Sequence, residues 1–107
     1  MTVQWLFPGF LLLFSWSTSA KNEPITVKSS SVNNEVMITE VYLNGNPVEL
    51  QCSINDTSCT HLTAGDYLMV RLQSGGQYQD CQNVHIYAKN GSPKKDKPLG
   101  EYCLLQP

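Results

Sequence analysis

The sequence predicts an all-β domain, either a small antiparallel sandwich or an open barrel of five to seven strands. Its β-branched and aromatic segments are short, are separated by turn-forming residues and show no helical periodicity. The Asn44-Gly45 dipeptide, a strong hairpin signal, lies between two segments of this kind. Four cysteines can also supply the disulfides that a small chain needs for stability: Cys52, Cys59, Cys81 and Cys103.

The chain begins with an apolar segment, from Trp5 to Trp16, that is shorter than the roughly 20 residues of a membrane-spanning helix. Small residues lead up to Ala20 and suit cleavage after it. The first basic residue is Lys21, so the amino terminus carries the only positive charge ahead of the apolar core. We expect residues 1–20 to be a cleaved secretory signal peptide; the alternatives are an uncleaved anchor and a misassigned start.

The remaining residues, 21–107, are enough for one domain and carry a formal net charge of −2. A domain of this size buries only about 60% of its unfolded surface, so disulfides contribute a large share of its stability. The basic cluster at Lys94, Lys95 and Lys97 is interrupted by Asp96, which is typical of a solvated loop. We therefore expect neither a nucleic-acid partner nor a membrane span after signal cleavage.

Residues 21–34 are polar, and we expect them to form a flexible arm or an edge strand around Ile25-Thr26-Val27. A single all-β domain is expected over residues 35–107.

The clearest local prediction is a hairpin between Val36–Leu43 and Val48–Cys52. With Asn44-Gly45 at the turn, Leu43 pairs with Asn46. The next pairs on the apolar face are Val41 with Val48, Thr39 with Leu50 and Met37 with Cys52, while Glu40 lies opposite Glu49 on the other face.

The rest of the chain alternates between loops and short strands. A polar loop covers Ser53 to Ala64, and Gly75-Gly76 marks a turn. Strands are predicted over Asp66–Leu72, Gln82–Lys89 and Leu99–Leu105, with a charged loop over Asn90–Pro98.

Four cysteines allow three pairings, and symmetry favours one of them. Cys81 and Cys103 are equidistant from Ser92, so a hairpin centred there places them opposite each other, which leaves Cys52 to pair with Cys59. In this register the Cys81–Cys103 bond shares its face with polar side chains. The bond then lies on a half-exposed face, or a bulge shifts the register, or Cys103 reaches another strand.

Neither metal binding nor redox catalysis is expected of the cysteines. Structural zinc ligands come as close pairs, whereas the intervals here contain six, twenty-one and twenty-one residues. Cys-x-x-Cys is absent as well. No cofactor is predicted.

No catalytic constellation is evident in the sequence. A hydrolase would pair His61 or His85 with Ser58 or Ser74 and with Asp66 or Asp80, but no local signature supports such a triad. Glu40 and Glu49 face each other as a general acid and base pair would, but facing acids are also common on exposed hairpins. We therefore predict no catalytic, cofactor or metal site.

Two N-glycosylation sequences begin at Asn55 and Asn90, both in predicted loops. They are interpreted as turn residues unless the source is eukaryotic.

The patterns around these elements resemble small four-cysteine secreted proteins of soil bacteria, of the acidobacterial kind. The resemblance rests on residues 41–50, the Cys52–Cys59 loop, Gly65-Asp66-Tyr67, residues 78–87 and residues 99–104. It implies a bacterial exported domain and carries over no functional residue.

The leading hypothesis is a secreted or periplasmic non-catalytic module that binds a protein or envelope partner. The alternative is a secreted inhibitor of a protease or other hydrolase, with Lys94-Lys95 presented to a basic-specific cleft. A small hydrolase using His61 or His85 ranks third.

Overall fold

Six β-strands make up the computed structural model, which describes residues 21–106. No helix occurs in this range. The predicted signal peptide, residues 1–20, lies outside it. The strands are β1 (Asn22–Asn33), β2 (Val36–Leu43), β3 (Asn46–Ser53), β4 (Gly65–Arg71), β5 (Gln82–Ala88) and β6 (Gly100–Leu105).

The strands close into an antiparallel barrel in the order β1-β2-β3-β6-β5-β4. The first three form a meander, and β4 returns to lie beside β1, which is a Greek-key connection. The all-β prediction is confirmed, and the count of six falls within the expected range. Closure of the barrel gives every strand two neighbours along at least part of its length.

The first strand corrects the expectation of a flexible arm or edge strand. β1 pairs with β2 from Ile25 to Asn33 and with β4 from Asn22 to Val27, so the domain begins at the start of this strand. The register with β2 shifts between Val27 and Ser29. This bulge turns Ser30 towards the buried Thr39, and their hydroxyls form a 2.8 Å hydrogen bond.

The β2–β3 hairpin confirms the predicted register at every pair, including Met37 with Cys52. Its turn residues have positive φ, 54° at Asn44 and 80° at Gly45. Glu40 and Glu49 do lie opposite each other on the outer face.

The core fills the barrel interior with the inward side chains of all six strands. Buried and more exposed positions alternate along β2, β3 and β6, whereas β5 also buries two side chains of its other face, Asn83 and Tyr87. The least exposed large side chains are Tyr102, Leu50, Met69, Ile86, Val27, Val41 and Val84. Leu62, from the loop after β3, is also buried against this core.

Both disulfides have the predicted connectivity, Cys52–Cys59 and Cys81–Cys103. The register of the last hairpin differs from the expected one, because Cys103 lies opposite Asn83 and not opposite Cys81. The second disulfide therefore joins diagonal positions, with a Cα–Cα distance of 5.7 Å. A shift of two residues keeps the same side chains on each face, so the bond is on the half-exposed outer side.

In the part of the chain that the structure describes, we find no helix with the length and apolarity required to span a bilayer.

Candidate functional site

Two disulfide-linked loops meet on the outer wall of β5 and β6 and carry four of the predicted polar candidates: Ser58, His61, Ser74 and Asp80. Loop A is the segment 54–64, which the Cys52–Cys59 bond ties to β3 through Cys59, and loop B is the segment 72–81, which Cys81–Cys103 ties to β6. The contacts between the loops and the wall decide whether these side chains are free for chemistry.

His85 and Glu101 form the most polar contact of this wall. The two residues lie opposite each other on β5 and β6, and His85 Nε2 is 3.0 Å from Glu101 Oε1. Their side chains are 25% and 17% exposed. The other carboxylate oxygen of Glu101 accepts a 2.8 Å hydrogen bond from the main-chain N–H of Gln77 in loop B. Glu101 is therefore engaged through both oxygens in holding the loop and the histidine.

Tyr78 connects loop B to loop A. Its hydroxyl donates to Asp56 Oδ2 at 2.9 Å and accepts from the main-chain N–H of Ser53 at 3.2 Å. Burial raises the pKa of Tyr78, and the neighbouring Asp56 carboxylate raises it further. The phenol thus stays protonated and serves as a donor to Asp56.

Asn83 holds the other end of loop B. Its side chain is 5% exposed, donates to Tyr78 O at 2.7 Å and accepts from Tyr78 N at 3.0 Å. Gly76, with φ of 93°, runs so close to it that an added Cβ would lie 2.5 Å from Asn83 Cγ. The loop is therefore fixed on β5 by complementary hydrogen bonds and close packing.

Tyr102 anchors loop A from inside the barrel. Its side chain is fully buried, and its hydroxyl donates to Thr60 O at 2.6 Å. Burial raises the pKa of Tyr102 to about 12. Gly100 makes room for this approach, since a Cβ there would lie 2.7 Å from both Ser58 O and the Tyr102 hydroxyl.

The structure does not assemble the hydrolase candidates into a triad within residues 21–106. Ser58 accepts from Gln77 Nε2, and Asp66 accepts from Thr26, so neither is bonded to a histidine. His61 is exposed on loop A, and the exposed Ser74 and Asp80 lie on loop B. Among the described residues, the one histidine–carboxylate contact joins His85 to Glu101.

The Glu40–Glu49 pair is engaged in separate contacts. Glu40 is 3.7 Å from the ammonium group of Lys28, and Glu49 accepts from Gln51 Nε2 at 3.1 Å. Each carboxylate thus has its own positive or donor neighbour. Across residues 21–106, no three His, Cys, Asp or Glu side chains are grouped in a position to hold a metal ion.

The charged loop over residues 90–98 forms a hydrogen-bonded turn. The main-chain N–H groups of Lys95 and Asp96 bond to Ser92 O, and the Asp96 carboxylate accepts from Ser92 N at 2.7 Å. Lys94 and Lys95 are exposed at its tip. Asn90 and Asn55, the two glycosylation candidates, are exposed as well, and Asn55 donates to Glu35.

A surface that the sequence analysis missed surrounds Tyr42 on the outer face of β1, β2 and β3. Tyr42 is 40% exposed and contributes to two grooves of about 390 and 550 Å³. Pro47 lies opposite Tyr42 on β3, and Leu105, 37% exposed, lines the smaller groove. The signal was present in the hairpin register, which places Tyr42 on the same outward face as Glu40.

Comparison with known proteins adds no relative: no family model, curated protein or solved structure matches this chain.

Proposed function

We propose that this chain is an exported, non-catalytic β-barrel module of bacterial origin that binds a protein or envelope partner through its outer surface. The two disulfides indicate an oxidising setting, extracellular or periplasmic. The apolar segment ahead of Lys21 supports export into such a setting.

The observation that carries this proposal is the distribution of polar contacts. The polar side chains of loops A and B with the most contacts bond to one another or to the barrel wall, as in Glu101 with His85 and Gln77. The interior is filled by the apolar core. The outer face around Tyr42 differs from these regions, because an aromatic ring is 40% exposed there between two grooves.

The second candidate, an inhibitor of a protease or other hydrolase, is favoured by the exposure of Lys94 and Lys95 on a constrained loop. Its weak point is the shape of that loop. A peptide segment bound at an enzyme or sheet edge is usually extended, whereas Ser92 to Asp96 form a turn with internal hydrogen bonds. This geometry ranks the inhibitor below the binding module.

Cross-linking in the native exported compartment tests the proposal. The oxidised protein, carrying a photoreactive residue at position 42 or at position 94, is irradiated and its adducts are identified. Adducts formed from position 42 and not from position 94 support a module that binds through the outer face. Adducts confined to position 94, or none from either position, contradict it.

A protease panel separates the alternative. Inhibition of a Lys-specific protease that is lost in a Lys94→Ala/Lys95→Ala variant would favour the inhibitor. Lys89→Ala, another exposed lysine outside the turn, is the matched control. Absence of inhibition at micromolar protein would remove this candidate.

A further inference from the structure

We infer that the face around Tyr42 is a carbohydrate-binding site for a neutral polysaccharide whose sugar units stack on the Tyr42 ring. This inference rests on the proposed function, because it names the chemistry of the partner. The Tyr42 ridge is defined here as Tyr42 together with its two flanking grooves. Groove 1 contains Glu40, Pro47 and Leu105, and groove 2 contains Thr26, Asp66 and Lys89.

The ridge presents an aromatic ring on a rigid support. Tyr42 lies in the middle of three paired strands, opposite Thr26 on β1 and Pro47 on β3. Its neighbours in the chain, Val41 and Leu43, point into the core and are 1% and 4% exposed. The ring is therefore held on an outer surface that the barrel core fixes in place, which limits the entropy lost on binding.

Polar groups surround the ring at positions that suit hydroxyl recognition. In groove 2, Asp66 Oδ1 accepts a 2.9 Å hydrogen bond from Thr26, while Oδ2 has no partner among the described residues. Asn44 and Lys89 are exposed in the same groove. A sugar ring has an apolar C–H face and a rim of hydroxyl groups. An aromatic ring beside a few carboxylate, amide and ammonium groups is complementary to both.

The charges around the ridge favour a neutral ligand. In groove 1, Lys28 is 3.7 Å from Glu40, so these charges offset each other, and Glu49 adds one negative charge. In groove 2, the charges of Asp66 and Lys89 are opposite. Because no positive excess is present, phosphate-rich ligands and anionic lipid surfaces have no electrostatic attraction to this face.

Binding of a peptide as an added strand is disfavoured beside the ridge, because Pro47 on β3 has no N–H to donate to it. In a two-residue hairpin the pair next to the turn, here Leu43 with Asn46, is hydrogen-bonded, and every second pair after it is not. The main-chain groups of Pro47 and Glu49 therefore point away from β2 and towards β6. The β3–β6 ladder ends at Glu49 with Leu105. Pro47 lies beyond that end and has no N–H, so an added strand would lack this hydrogen bond.

The two grooves define the direction of the ligand. Since Tyr42 is the side chain that separates them, a chain of sugars crossing the ring places successive units in groove 1 and groove 2. Side chains in both grooves should therefore affect affinity, and oligosaccharides long enough to reach both should bind better than single sugars.

The test uses the oxidised domain, residues 21–107. Retention is measured on insoluble cellulose, chitin, xylan and mannan, and affinity by calorimetry with the hexasaccharide of any polymer that retains it. The variants are Tyr42→Ala, Tyr42→Phe, Asp66→Ala and, as the control at an exposed apolar residue outside the ridge, Val32→Ala. Melting temperatures establish that each variant is folded.

We expect retention on at least one polymer, about tenfold weaker affinity in Tyr42→Ala, and near wild-type affinity in Tyr42→Phe and Val32→Ala. Asp66→Ala should also weaken binding, which provides a second variant if Tyr42→Ala does not fold. Failure to bind any of the four polymers, or binding unchanged in both Tyr42→Ala and Asp66→Ala, overturns the carbohydrate site. In that case photo-cross-links from position 42 to a protein would still support the binding module.

Discussion

The two disulfides stabilise this barrel in different ways, although each one fixes a loop at the wall of β5 and β6. Cys52 belongs to the core, with 2% of its surface exposed, and its bond spans a sequence separation of 7. Cys81 and Cys103 are half-buried on the outer face, and their bond spans a separation of 22. The first closes a small ring whose loop packs on the barrel core, and the second holds a long loop on the barrel wall.

Ring size and burial predict opposite rankings of the two bonds. Restriction of the unfolded chain alone gives about 2.4 kcal/mol for the short ring and about 3.4 kcal/mol for the long one. Core packing reverses this order, because Leu62 and the Thr60 acceptor of Tyr102 both lie on loop A. We expect packing to dominate.

Removal of the buried disulfide should destabilise the protein most. Cys52→Ala/Cys59→Ala should lower the free energy of unfolding by about 4 kcal/mol, because the ring contribution is joined by the loss of a buried sulfur and looser seating of Leu62. Urea denaturation of the oxidised protein measures this. A loss of 2 kcal/mol or less, on the order of the ring term alone, would show that loop A adds nothing to the core.

The outer disulfide should be the less costly one to remove. Cys81→Ser/Cys103→Ser should lower the free energy of unfolding by about 3 kcal/mol, since two half-exposed hydroxyls replace the sulfurs without leaving a cavity. The same denaturation experiment compares both double variants directly. If this variant proves the less stable of the two, unfolded-state restriction outweighs packing in this fold.

Exposure also predicts the order in which the bonds are reduced. Cys81 and Cys103 are both half-exposed outside the core, whereas Cys52 is covered by the core and its partner Cys59 packs against it. Under a limiting reductant at neutral pH, peptide mapping should therefore find Cys81 and Cys103 alkylated well before Cys52 and Cys59. Equal rates for the two bonds would mean that reduction proceeds through global unfolding.

Because of Tyr102, the contribution of loop A to the stability of the fold should decrease at alkaline pH. Burial raises its folded-state pKa to about 12, above an ordinary value near 10, so the folded protein binds the phenol proton more tightly than the unfolded chain does. The stabilisation is complete below pH 10 and is lost as the pH rises towards 12, by roughly 2–3 kcal/mol in total.

Brief denaturation measurements at pH 9 and pH 11 test this expectation. Tyr102→Phe should be less stable by about 1–2 kcal/mol at pH 9, because Thr60 O loses its donor. Its stability should then fall less than that of the wild type between the two pH values. Parallel decreases in both proteins would assign the alkaline loss to other groups.

The fold illustrates which interactions a sequence reveals. The β2–β3 register was predictable because the Asn44-Gly45 turn and the alternation on either side of it are local features. The β5–β6 register was not, since the eleven residues 89–99 separate the strands and nothing local fixes their offset. The predicted disulfide pairing was nevertheless correct, because a diagonal pair of residues also satisfies the Cα–Cα distance that a disulfide requires.

Long-range pairing explains the remaining differences. β1 looked like an arm because its second half is serine-rich, but a bulge and the Ser30–Thr39 hydrogen bond place those residues in a ladder. The candidate site also depends on long-range strand pairing. Alternation alone places Tyr42 outward, whereas the grooves beside it depend on β1, β4 and β6 being brought together by barrel closure.

A weaker interaction is one of the hydrogen bonds that join loop B to loop A. Tyr78 of loop B donates to Asp56 of loop A, and it also accepts from Ser53 N. Tyr78→Phe should cost about 1 kcal/mol, typical of a partly buried hydrogen bond. In a double-mutant cycle with Asp56→Ala, the two effects should be non-additive by about 0.5–1 kcal/mol, because each variant removes the same contact.

Removal of each disulfide should affect this coupling between Tyr78 and Asp56 differently. Since Tyr78 is placed on the wall by Asn83 as well as by the Cys81–Cys103 bond, most of the coupling should persist in the Cys81→Ser/Cys103→Ser background. Loss of the Cys52–Cys59 bond should abolish it, because Asp56 lies within that ring. Equal losses in both backgrounds would mean that the loops depend on both disulfides as a single structure, and the contrast between core and wall would not hold.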